Sequence, residues 1–132
     1  MSDAKINDMG FVNNLTVIKK PGASETLLLI GQAQSGRWAR VMTRGAAQTL
    51  WFHLTTILYP RAAGQITHRA ATAVLRRSTD PLITNFFEVT NNDEKKVIRL
   101  RGLGGDDPWL IYFTHEDGYE LWAALEKILD VV

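Results

Sequence analysis

At 132 residues the chain suits one domain that buries its own core without staples. With no cysteine it has neither a disulfide framework nor a thiolate metal site, and a reducing compartment is the expectation. The net charge of +1 hides a segregation: Thr26 to Thr79 carries seven arginines and no acid (+7), and the rest of the chain sums to −6.

Met1 to Gly10 is a polar lead-in whose Asp3 and Asp8 replace the basic start and apolar core of a signal peptide. Phe11 to Ile18 is rich in β-branched residues and predicts a first strand, closed by the Lys20-Pro21-Gly22 turn. Thr26 to Gln34 predicts a second, whose continuous apolar run Leu27 to Ile30 suits a strand covered on both faces or at a subunit contact. That run is far too short to span a bilayer, so a cytoplasmic protein without a membrane segment is expected.

After Gln34-Ser35-Gly36, a third strand from Arg37 to Thr43 places Trp38, Arg40, Met42 and Arg44 on one face. Leu50, Trp51, Leu54, Ile57 and Leu58 then form one apolar stripe at helical period, and Pro60 stops the helix. The basic connector 61–81 follows, in which Thr67 caps a helix over 68–77 or 73–77 forms a strand; periodicity does not separate the two.

Ile83 to Val89 predicts a strand, Asn91 to Glu94 a turn, and Lys96 to Leu103 a strand with Ile98 and Leu100 on one face and Val97, Arg99 and Arg101 on the other. The loop Gly104 to Pro108 leads to a strand from Trp109 to Thr114. Asp117 with Glu120 then makes a capping-box-like helix start, and Leu121, Trp122, Leu125, Ile128 and Leu129 repeat the stripe of the first helix.

Sliding the chain by 71 positions lays residues 13–58 on 84–129 without a gap, with ten of 46 pairs identical and all four tryptophans matched to one another. Chance supplies roughly three. The expected fold class is therefore α+β: two tandem βββ(β)α repeats, about 11–60 and 82–130, forming antiparallel sheets with helices packed on one side. They should meet as a pseudo-twofold internal dimer within one domain, 1–132.

His53, His68 and His115 show no ligand spacing, and no metal or cofactor is expected. Asp106-Asp107 and Glu116-Asp117 are paired carboxylates in predicted turns and helix starts, and no serine stands in a nucleophile elbow. Gly102 to Gly105 runs into Asp-Asp-Pro and another strand, which disfavours a phosphate there. These features argue against an enzyme.

The outer sheet face offers more: Lys96, Arg99, Arg101, Arg40 and Arg44, with Trp38, Trp109, Phe86 or Phe87 nearby. Basic side chains beside aromatic rings suit single-stranded nucleic acid, because bases stack on rings while cations track phosphates. The competing reading makes the tryptophans core residues, since they recur in both copies. Strand meanders each closed by a helix, with basic sheet faces, resemble Whirly-type single-stranded-DNA-binding proteins and the related positive-cofactor coactivators. That resemblance implies a doubled β-sheet-and-helix unit and a non-enzymatic nucleic-acid-binding role; it assigns no residue. The alternative is a protein-interaction or self-associating scaffold module, with a homodimer formed through the leucine-rich second strand and the helices.

Overall fold

The structure, a computed structural model, describes residues 6–19, 26–61, 80 and 82–129. The predicted alternatives for 67–77 lie outside them. Among the described residues, seven strands, β1 (Asn7–Lys19), β2 (Thr26–Ala33), β3 (Gly36–Thr43), β4 (Ile83–Thr84), β5 (Phe86–Asn92), β6 (Val97–Leu103) and β7 (Trp109–Thr114), join two long helices, α1 (Arg44–Leu58) and α2 (His115–Leu129).

The strands form a single sheet in the order β4-β3-β2-β1-β7-β6-β5. Its two end strands, β4 and β5, are consecutive in the chain and separated only by Asn85, so the sheet curls round to a near-barrel. The pairing is mixed: β1 runs parallel to β7 and β3 parallel to β4, whereas the other neighbours are antiparallel. This overturns the expected tandem βββ(β)α units with their own antiparallel sheets. Each half lends a strand to the other, because β1 and the 83–92 segment are both shared between partners. Asn7 to Phe11 pairs with β7 and Val12 to Lys19 with β2; Ile83-Thr84 pairs with β3 and Phe86 to Asn92 with β6.

The change of partner along β1 has a local cause. Its register slips between Asp8 and Phe11 and again between Asn13 and Thr16. Gly10 (φ 68°) and Asn14 (φ 52°) stand in left-handed backbone at these points. Asparagine tolerates that region better than most residues, and such bulges bend a strand. The polar lead-in is thus corrected at its end: Asn7 to Gly10 is strand, held from its start by Asn7 N–H donating to the Pro108 carbonyl at 3.0 Å. Likewise the strand expected over Ile83 to Val89 breaks at Asn85.

Both helices begin on a threonine. Thr43 Oγ1 accepts from Ala46 N and Thr114 Oγ1 from Asp117 N, each at 3.1 Å, satisfying amides that a helix start leaves without internal partners. The second helix therefore begins at His115, ahead of the expected Asp117 start. Glu116 and Asp117 in its first turn suit the positive end of the helix dipole.

The helices lie antiparallel. Arg44 at the start of α1 donates to the Leu129 carbonyl at 3.1 Å, and the end of α1 meets the start of α2 where Tyr59 packs on Tyr119 at 5.3 Å. Their stripes, with Leu50, Leu54, Leu121 and Leu125 wholly buried, join the inward residues of the sheet, Leu27, Leu29, Met42, Ile98, Leu100, Ile111 and Phe113, in one core. At about 2 kcal/mol per large side chain, each stripe contributes on the order of 8 to 10 kcal/mol gross, comparable with the whole net stability of a domain.

Candidate nucleic-acid interface

The alternation that buries Ile98 and Leu100 turns Val97, Arg99 and Arg101 to the opposite face of β6. On β7 the same rule puts Ile111 and Phe113 inside and leaves Tyr112 outward and half-buried. Register then builds a row across four strands: Thr90 opposite Arg99, Arg99 opposite Tyr112, and Tyr112 opposite Phe11 of β1.

Phe11 is 57% exposed, and its ring lies 5.7 Å from that of Tyr112 with the planes tilted by 33°. With Arg99, Thr90, Asn92 and Lys95 the two rings line a groove of about 340 Å³. The turn that delivers Lys95 is fixed by Lys95 N–H donating to Asn92 Oδ1 at 3.1 Å, and Lys96 follows with φ 56°.

The cations differ in how far they are already engaged. Arg101 is paired with Glu88 on the neighbouring strand at 3.0 Å. Lys96 reaches Asp93 at 3.4 Å, with both side chains largely in water, a pairing worth little. Arg99 and Lys95 make no ion pair among the described residues. Lys95 and Arg99 therefore give the groove a positive rim beside two aromatic rings, with Lys96 next in the chain at the turn.

The other expected site residues lie elsewhere. Trp38 and Trp109 are 3% and 1% exposed and meet edge to face at 4.9 Å, so neither offers a ring to solvent. Trp109 is also fixed by its indole N–H, which donates to buried Thr84 at 2.9 Å. The core reading of these tryptophans thus replaces the stacking one. Arg40 sits over the Trp38 ring at 5.5 Å and 3.8 Å from Asp107, on the face shared with Trp38 and Met42; Arg44 is engaged at the end of α2. Neither belongs to the row of Arg99.

No family model, no curated protein and no solved structure matches this chain. Its own geometry carries the functional argument.

The rings that line this groove are Phe11 and Tyr112, which sequence reasoning did not single out. Outward Tyr112 was readable from the alternation of β7. Its partner was not, because a parallel pairing between residues so distant in the chain leaves no local pattern.

Three of the other polar side chains singled out have structural partners. Asp107 accepts from Asn7 Nδ2, Asp117 lies in the Thr114 cap, and His115 Nε2 is 2.6 Å from Asn91 Oδ1. Burial lowers the His53 pKa on α1. Among the described residues no three His, Cys, Asp or Glu side chains converge as a metal site, and no helix is long and apolar enough to cross a membrane.

Proposed function

We propose that this chain is a non-enzymatic binding protein for single-stranded nucleic acid, and that the strand lies on the outer face of β5, β6, β7 and the start of β1. What supports the reading is one juxtaposition: the exposed Phe11 ring against Tyr112, flanked by Arg99 and Lys95 with no acidic partner. Bases stack on such rings without regard to sequence, at about 1 to 3 kcal/mol each, while the cations follow the backbone. A single strand suits the surface because its bases are free to stack on it.

Three phosphate contacts, to Lys95, Lys96 and Arg99, at a slope of about −0.7 each give a roughly twentyfold loss of affinity between 50 and 200 mM salt. Titration of a fluorescent oligo(dT) should show that slope. No binding at 50 mM salt would sink the proposal.

A second reading rests on the outer face of the other half. There Ile18, 43% exposed, faces Leu28, and Leu28 faces Val41, while Ile30 lies beside Ala39. Such an apolar row on a sheet surface suits a second copy of the chain. Light scattering should then show a dimer at tens of micromolar, and Ile18→Lys should return it to monomer.

A further inference from the structure

We propose that the outer face of β1, β2 and β3 holds a second contact for the same single strand, where Arg37 takes a backbone phosphate at the cavity beside the β1 bulge. The inference rests on the nucleic-acid reading and extends the path of the strand beyond the groove at Phe11 and Tyr112.

The bulge borders that cavity. Asn13 pairs with Gln32 and Thr16 with Ile30, so Asn14 and Leu15 together stand opposite the one residue Gly31. Leu15 takes the inward place and is buried, while Asn14 is exposed in left-handed backbone, φ 52°. An extra residue of this kind is left out of the ladder and bends its strand. The cavity is about 470 Å³, and Asn14, Gln32, Arg37 and Ale39 are among the residues that line it.

Alternation and register put this cavity on the face of the groove. Phe11 and Asn13 stand two apart on β1 with buried Val12 between them, so both point outward. Asn13 lies opposite Gln32 and Gln32 opposite Arg37, all three exposed. One row of outward side chains therefore runs from Arg99 through Tyr112 and Phe11 to Asn13, Gln32 and Arg37. Four strand-to-strand steps and two residues of β1 separate Arg99 from Arg37, which is roughly 20 Å along the sheet at about 4.8 Å per step and about 3.3 Å per residue.

Charge decides which way the strand leaves the groove. Arg37 makes no ion pair among the described residues, and no carboxylate lines either cavity. A phosphate there meets a free guanidinium, with the amides of Asn14 and Gln32 beside it to donate or accept. The other end of the same face presents Ile18, Leu28 and Val41, apolar side chains that give a phosphate backbone nothing to follow.

The test is the salt dependence of fluorescence anisotropy titrations with two labelled probes, dT15 and dT3. The longer probe reaches both contacts, whereas the two internucleotide phosphates of dT3 cannot bridge roughly 20 Å, so dT3 rests on the groove. Arg37→Ala should lower the slope of log affinity against log salt by about 0.7 for dT15, so that between 50 and 200 mM salt the variant loses about 2.6-fold less affinity than the wild type; its dT3 slope should stay within error. Arg37→Lys keeps the charge and should keep the dT15 slope. Lys19→Ala removes an equal charge from the exposed far end of β1 and should change neither slope. An unchanged dT15 slope in Arg37→Ala, an equal fall for dT3, or an equal fall in Lys19→Ala would overturn the second contact while leaving the groove in place. Absence of binding by both probes to the wild type at 50 mM salt would instead sink the groove reading, and the second contact with it.

Discussion

Trp109 lies so close on Gly102 that a Cβ at that glycine would come within 2.1 Å of the ring. The ring also packs edge to face on Trp38 at 4.9 Å and on Phe87 at 5.8 Å, and so cannot move aside cheaply. Gly102→Ala should therefore destabilise the protein by at least the 1 to 3 kcal/mol typical of overpacking, read as a lower urea midpoint. An unchanged midpoint would show that the indole has room to retreat.

The helix pair is closed by two tryptophans whose N–H groups reach across it. Trp51 donates to Glu126, and Trp122 donates to Thr55 Oγ1 at 2.8 Å. The acceptors stand at equivalent places in the two helices under the 71-residue offset. Thr55 is buried and also donates to the Trp51 carbonyl. Thr55→Val keeps its shape and strands the Trp122 N–H, at a cost of about 1 to 2 kcal/mol. A double-mutant cycle with Trp122→Phe should return a coupling of about 0.5 to 1.5 kcal/mol; a coupling near zero would mean that water replaces the bond without loss.

These contacts explain what could and could not be read from the residues alone. Each helix carries its own signal, because a stripe such as Leu50, Trp51, Leu54, Leu58 buries one face whatever covers it. Antiparallel β2–β3 and β6–β7 are joined by short connections, and alternation assigned Ile98 and Leu100 inward and Arg99 and Arg101 outward. The parallel contacts β1–β7 and β3–β4 join segments far apart in the chain, and nothing local records them. That is why Asn7 to Gly10 read as a polar tail, why two separate sheets were expected, and why Phe11 was not seen beside Tyr112. The tryptophans misled for a different reason, since a lone aromatic in a strand looks alike on either face.

His53 gives the molecule an acid-sensitive element. Burial on α1 holds its imidazole below the usual value near 6.5, because the partly desolvated ring resists charge. As pH falls below about 6.5 the unfolded chain takes up this proton first, so the stability contributed is complete above that pH and is lost as pH falls through the folded value. His53→Gln removes the effect. Urea midpoints measured between pH 7.5 and 5 should fall more steeply for the wild type than for this variant. Parallel curves would mean that the ring charges freely in the folded state.

The proposed binding face separates into stacking and charge, and each part has its own signature. Phe11→Ala removes a ring that is 57% exposed, so folding should survive while oligo(dT) affinity drops by about 1 to 3 kcal/mol, with the salt slope unchanged. Arg99→Ala takes away one phosphate contact, and the slope of log affinity against log salt should shrink by about 0.7. Arg101 already spends its charge on Glu88 at 3.0 Å, so Arg101→Ala should change the slope less than Arg99→Ala does. Arg40→Ala, behind the face and engaged with Trp38 and Asp107, should leave both affinity and slope within error. An Arg40 effect as large as that of Arg99 would place the nucleic acid on the wrong side of the sheet and refute the assignment of this surface.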